Sequence, residues 1–455
     1  MTADARDTRS IGLYTAIAVV AANMIGTGVF TSLGFQLFSL TTGFAVVALW
    51  LIGGLAALCG ALSYGELSGA MPRSGGEYYL LSKIYHPVVG FLSGWVSVVV
   101  GFSAPIAAAA MAMGQYLSRV LVQTGVIAAG SQPVTVIVVA VTGVTLISIV
   151  HLLDIKVVSR FQIVFTSLKV SLIVVLIICG FALAKAQPVS FLPDAAGLDS
   201  IFTSGFAVSL VYVMYAYSGW NAAIYVAGDV KNPGRYLPLS LVFGTVIVIL
   251  LYAPLNAVFM YSAPIAEMRG HVDVGYIAAS HIFGGTGGLI MGLLISIGLV
   301  SAISSMVWAG PRVTQVMGED IRILRFLSAK NANGVPHLSL LFQYVLVVAL
   351  IVTSTFDSIV NYIGFILSLS AFLTVMGVFV LRVTQPRLPR PYRTWGYPVT
   401  PVVFLLVTGW MMFFVIKARP LVMLAGAGTL CVGLVVYVIN KSLSPSAPPP
   451  CAPSH

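Results

Sequence analysis

Charge is what this sequence has least of. Only 8% of its 455 residues are Asp, Glu, Lys or Arg, against 59% hydrophobic, whereas soluble domains carry about 25% charged residues. So sparse a polar set cannot cover the surface of a cytosolic enzyme, and it excludes a disordered chain and a nucleic-acid reader as well. Cysteine is nearly missing too. Cys59, Cys179 and Cys431 sit in apolar runs and Cys451 lies in the terminal stretch, a pattern that makes neither a disulfide framework nor a zinc site. His86, His151, His271, His281, His337 and His455 fall at the ends of apolar runs or between them. They show no metal-ligand spacing, so neither a metal nor another cofactor is expected. No cleavable leader is expected: Asp4, Arg6, Asp7 and Arg9 precede an apolar segment that runs from Ile11 well past the short core of a signal peptide.

What is present is a succession of long apolar runs. At about 20 residues per crossing, spans are expected near 11–38, 43–70, 88–118, 133–152, 157–184 and 203–228, then near 236–262, 276–309, 338–355, 358–382, 397–416 and 420–439. The expected fold class is therefore all-α integral membrane, with about twelve transmembrane helices and both termini on one side. Lys and Arg collect at cytoplasmic loops. Placing the termini and even-numbered loops there gathers seventeen of the 23 basic residues and leaves five on the other face. The organisation that follows is a cytoplasmic segment 1–10, two five-helix halves at 11–186 and 203–382, two further helices within 397–440, and a Pro- and Ser-rich tail, 441–455, expected to be disordered. The longest polar stretch runs from about Arg312 to His337.

The one basic residue left over is Lys169, in the fifth span. It lies about 12 residues from either end, roughly 18 Å of helix, too far for its side chain to reach a headgroup. It must face the protein interior, where a charge is expensive and marks function by default. Bracing neighbouring helices through backbone carbonyls is the other role open to it.

Two spans are interrupted by their own residues. The first contains Ile25-Gly26-Thr27-Gly28 in mid-run, and the sixth contains Tyr215-Ala216-Tyr217-Ser218-Gly219-Trp220-Asn221. Glycine weakens a helix by about 1 kcal/mol, so both stretches can unwind. Unwound backbone at membrane depth is tolerated where it lines a cavity or is packed in protein. The half-helix after such a break offers free N–H groups to an anion, and the half-helix before it offers carbonyls to a cation. A zwitterion suits both. Close helix packing through small residues is the alternative for either cluster taken alone. The breaks, however, occupy corresponding places in the two halves, which is the sequence mark of a transporter site built on an inverted repeat.

Four stretches resemble a known family: Asn23 to Phe30, Tyr64 to Tyr79 (YGELSGAMPRSGGEYY), Tyr217 to Pro238 (YSGWNAAIYVAGDVKNPGRYLP) and Arg390 to Pro401 (RPYRTWGYPVTP). In order and position they are similar to the amino acid, polyamine and organocation transporter superfamily, most of all its L-type amino acid transporter branch and bacterial relatives. The resemblance implies a leucine-transporter-like fold, five plus five helices in inverted repeat with two extra helices, in a bacterial inner membrane. It assigns the substrate's α-carboxylate to the backbone around Ile25, Gly26, Thr27 and Gly28, and its ammonium to the carbonyls of Tyr215, Ala216 and Ser218. By their place beside the second break, and not from the resemblance, Tyr217 and Trp220 are expected to be gates, with packing as the alternative for the lone aromatic Trp220. Gln162, Phe165, Thr166 and Lys169 match the family's Q-x-x-F-T-x-x-K pattern, in which the lysine replaces a bound cation, implying transport without sodium. Ser218 departs from the glycine usual in the L-type branch, which points to a smaller pocket unless its hydroxyl turns to a backbone carbonyl. No cysteine falls in the outer loop of about 117–133, so no covalent heavy subunit is expected, and the protein is expected as a monomer or homodimer.

Glu66 and Glu77 are expected to cap helices and pair with cytoplasmic Lys or Arg, with a proton relay as the alternative, and Asp357 to cap the tenth span. The function implied is a permease for L-amino acids, small to medium and neutral, working by exchange or with a proton. The rival functions are a transporter-like amino acid sensor without net transport and a permease for polyamines or cationic amino acids. A membrane enzyme would need a cluster of acids, His or Cys near one face, which is missing from the sequence.

Overall fold

The computed structural model describes residues 11–153, 156–331 and 333–443, with backbone alone for 153 and 156–165. Segment 1–10, most of the terminal tail, and the side chains of Gln162 and Phe165 lie outside the described residues. The first half contains α1 (Leu13–Met24), α2 (Gly28–Gln36), α3 (Gly43–Ala70), α4 (Gly76–Ile84), α5 (Pro87–Val96), α6 (Ser103–Gln123), α7 (Gln132–Leu153) and α8 (Lys156–Leu183). After α9 (Ala195–Ile201), the second half contains α10 (Ser204–Tyr217), α11 (Pro233–Ser262), α12 (Ile265–Met268), α13 (Val274–Asp320), α14 (His337–Thr353) and α15 (Phe356–Thr384). Two more helices follow, α16 (Val399–Ala418) and α17 (Pro420–Leu443). Ten helical stretches among the described residues are long and apolar enough to cross a membrane, and a pair meeting at 70°, Ala195–Ile201 with Ser204–Asp229, makes an eleventh. The shorter apolar α14, 17 residues long, occupies the place of the expected ninth span.

Threonines start several spans where the sequence turns apolar. Thr42, Thr203 and Thr355 each accept a hydrogen bond from a backbone N–H three residues on, the arrangement that satisfies a helix's first free donors. Thr355 therefore caps the tenth span, and Asp357, expected to do so, lies two residues on, within the first turn. There it accepts from Tyr212 and Asn361 and lies 3.6 Å from Arg419. The eighth span also outruns its expected end at 309. It continues to Asp320 because Arg312 folds back over the Trp308 ring at 3.8 Å and bonds its carbonyl, keeping the polar sequence helical. α17 likewise extends to Leu443, into residues expected to begin the tail.

α3 lies along α11 and α6 along α13, so the second span packs on the seventh and the third on the eighth. Around these pairs the partners exchange: α1 packs on α11 as α10 packs on α3, and α8 packs on α13 as α15 packs on α6. α7 and α17 stand at the outside, with Val134, Val138, Leu146, Leu424, Val432 and Val438 exposed, as lipid-facing surfaces require.

Candidate functional site

Both interruptions are real departures from helix. In the first span the ladder stops when Gly26 N–H bonds back to Met24 O at 2.8 Å and Ile25 takes a ψ of 83°; α2 then begins at Gly28. In the sixth, α10 ends at Tyr217, Ser218 is extended, and Gly219 takes a φ of +96° before a 3₁₀ stretch, Ala222–Asp229. A side chain at Gly219 would be strained by that φ, and its Cβ would come within 3.0 Å of Asn23 carbonyl atoms.

The breaks face each other. A Cβ on Gly28 would sit 2.5 Å from Ala216 Cα, so the two backbones approach as closely as glycine permits. Thr27 Oγ1 and the Tyr215 hydroxyl share a hydrogen bond of 2.5 Å across the same junction. Of the sequence-assigned residues the structure thus brings Thr27 and Gly28 directly against Tyr215 and Ala216, with Ile25 and Gly26 adjoining on the first chain segment and Ser218 adjoining on the second. Helix geometry leaves the N–H groups of Thr27, Gly28 and Val29 without intrahelical acceptors, because the first turn closes only at Phe30 N–H to Thr27 O.

The carbonyls before the first break are engaged. Tyr252 donates to Met24 O at 2.6 Å, and Lys169 Nζ donates to Ile25 O at 2.7 Å. Lys169 is fully enclosed, and its stem crosses α13 at Gly298, where a Cβ would come within 3.0 Å of Lys169 Cγ. The buried ammonium thus ties the unwound first span to the fifth and passes over the eighth. Thr166, one turn away, has a buried hydroxyl without a hydrogen-bond partner among the described residues. Tyr215 O accepts from Ser218 N–H at 3.0 Å, while the Ser218 hydroxyl makes no hydrogen bond among the described residues.

Tyr217 and Trp220 lie beside the second break but turn toward neighbouring spans. Tyr217 packs against Trp50 and Tyr252 and donates to Trp50 O at 3.2 Å. The Trp220 indole meets Tyr64 edge-on at 4.6 Å and lies near Phe404 of α16. Sequence position put both next to the break but did not reveal which way the rings turn. Two site partners went unread, Tyr252 and Gly298. A tyrosine in ILLYAPLN and a glycine in ISIGLV look like ordinary membrane-helix residues, and only their neighbours in space give them a role.

The two glutamates differ. Glu66 receives Arg382 in a paired contact at 2.9 and 2.7 Å, accepts from Thr394 N–H at 2.7 Å and has Arg390 at 3.2 Å, as the expected pairing requires. Glu77, in the first turn of α4, has no such partner. It accepts from the Tyr64 hydroxyl at 2.5 Å and from Asn221 Nδ2 at 3.1 Å, and no ion pair reaches it among the described residues. The expected Lys or Arg is absent because Gly75 and Gly76, at φ +124° and +57°, turn α4 inward against the Tyr225 ring and carry Glu77 away from the basic loops.

Comparison with known proteins follows the same lines. A family model described as amino acid permease matches residues 11–437. The chain is 26% identical over 420 residues to the b(0,+)-type amino acid transporter 1 of Mus musculus, covering 90% of this chain and 83% of that one. It is 25% identical over 439 residues to the large neutral amino acids transporter small subunit 2 of Oryctolagus cuniculus, covering 95% and 80%. The matched stretch takes in both breaks, the buried lysine and the two glutamates, and the chain accordingly belongs to the amino acid permease family, on the L-type branch of the amino acid, polyamine and organocation transporter superfamily, as a membrane transporter of amino acids and not an enzyme.

Proposed function

We propose that the chain carries small to medium neutral L-amino acids by alternating access and without sodium. The observation that carries this reading is the junction of the two breaks, where free N–H groups of α2 face the end of α10 while Lys169 holds the carbonyl of Ile25. The α-carboxylate meets the N-terminal turn of α2, a ready anion site, and the α-ammonium meets the carbonyls of Ala216 and Ser218. Lys169 stands in for a bound cation. The exchange of packing partners between α1–α8 and α10–α15 supports an inverted repeat of halves 11–186 and 203–382, with α16 and α17 outside it. The bias of seventeen basic residues to one face supports cytoplasmic termini. We infer further that no covalent heavy subunit is needed, since residues 117–133 contain no cysteine.

Uptake of labelled alanine and leucine into liposomes containing the purified chain tests the reading. Equal rates in sodium and choline buffers, with amides of good substrates competing poorly, are expected. A strict sodium requirement, or equal competition by the amides, overturns it.

A further inference from the structure

Glu77 is a buried acid that neither the substrate junction nor the basic network around Glu66 uses. It is only 4% exposed, and no lysine, arginine or histidine reaches it among the described residues. Tyr64 from α3 and Asn221 from the second break both donate to the same oxygen, Oε1. A carbonyl oxygen accepts two such bonds without a negative charge. The other facing groups are the buried hydroxyl of Ser93 on α5, which is turned toward the Glu77 carboxyl, and the Tyr225 phenol. Burial with no facing cation favours the neutral acid, and it outweighs the opposing pull of these hydrogen-bond donors.

The position gives that acid a lever. The turn before Glu77 is fastened to the end of the sixth span three times: Gly228 N–H donates to Ser74 Oγ at 3.0 Å, Gly76 lies against Tyr225, and Asn221 bonds Glu77. The same end is joined to the first span, with Ile11 N–H on Asp229 O and Lys231 N–H on Ile11 O, both at 2.9 Å. Opening this end requires segment 74–77 to part from 221–228, which exposes Glu77 to water.

We infer that Glu77 is a proton-binding positioning residue: as the neutral acid it clasps the basic end of the sixth span, and loss of its proton releases that end. The sign follows from linkage. Burial pushes the carboxyl up to about 7 in the clasped state, and exposure on opening removes that penalty. The clasped state therefore holds the proton more tightly, acid favours it, and a rise in pH through neutrality favours opening. The proton stays at one end and is not carried across.

This inference rests on the permease reading, and the test separates the two. In proteoliposomes at equal pH inside and out, from pH 5.5 to 8.5, the maximal rate of amino acid exchange should rise several-fold as pH increases, at constant KM. Hydrogen–deuterium exchange of 221–230, corrected for intrinsic rates, should rise in parallel in the same preparation. Glu77→Gln should be slow and flat in both readouts, and Glu77→Asp should restore a pH-dependent limb. A flat wild-type exchange profile for 221–230, or a Glu77→Gln profile that copies the wild type, overturns the proposal. Deuterium exchange that responds to pH through Glu77 while no amino acid moves at any pH supports the proton site and counts against the permease reading.

Discussion

Lys169 and Ser218 are single side chains on which transport is expected to turn. A hydrogen bond to a charged group contributes about 1.5–3 kcal/mol, so Lys169→Ala should cut uptake roughly ten- to a hundredfold. The Ile25 carbonyl then loses its donor, while folded yield, followed by size-exclusion profile, should hold. Wild-type uptake by that variant would separate Lys169 from the transport step. Ser218 carries a hydroxyl with no hydrogen bond among the described residues, which favours a side chain occupying space beside the break. A methylene-sized change in a pocket shifts discrimination by about 1–3 kcal/mol. Ser218→Gly should therefore raise competition by leucine and tryptophan relative to alanine severalfold, and an unchanged ranking would show that position 218 does not set size. Lys169 was legible in the sequence because a charge in an apolar run breaks the pattern. Tyr252 and Gly298, which complete its surroundings, were not, since aromatic and small residues are ordinary in membrane helices. Glu77 was legible as an acid, but its direction depended on how Gly75 and Gly76 turn the chain.

The broken helices were the most readable elements, because glycine next to polar residues weakens a ladder from within. Gly219 shows how strictly the second break depends on its residue: at φ +96° an L side chain costs about 1–2 kcal/mol, and its Cβ would crowd Asn23 as well. Gly219→Ala should lower both uptake and thermal midpoint. Gly130→Ala, whose Cβ meets nothing within 4 Å, should leave both unchanged. If the two alanine variants behaved alike, the conformation of the break would not limit function. The short helices α4, α9 and α12 and the long extension of α13 were not legible. α4 is held by partners distant in sequence, Tyr225 and Asn221, the extension of α13 carries a polar side chain folded back one turn onto Trp308, and hydropathy registers only segments that meet lipid or the core.

At the scale of the whole molecule, one ionic knot joins the second span, the tenth and the loop before the eleventh, where Glu66 meets Arg382, Arg390 and Thr394. Removing one member of a buried pair leaves the others uncompensated, at a cost of about 3–5 kcal/mol. Glu66→Gln should lower the thermal midpoint in detergent by several degrees, and a midpoint equal to wild type would show that the knot adds no net stability. The lysine at the first break has a consequence of a different kind. A cation that is part of the polypeptide returns with every cycle and is never consumed, so it can stabilise the loaded state but cannot supply work. A sodium gradient across a vesicle should leave the steady-state ratio of substrate inside to outside at one. Concentrating an amino acid then has to draw on a gradient of something that does cross, a second amino acid leaving or a proton entering.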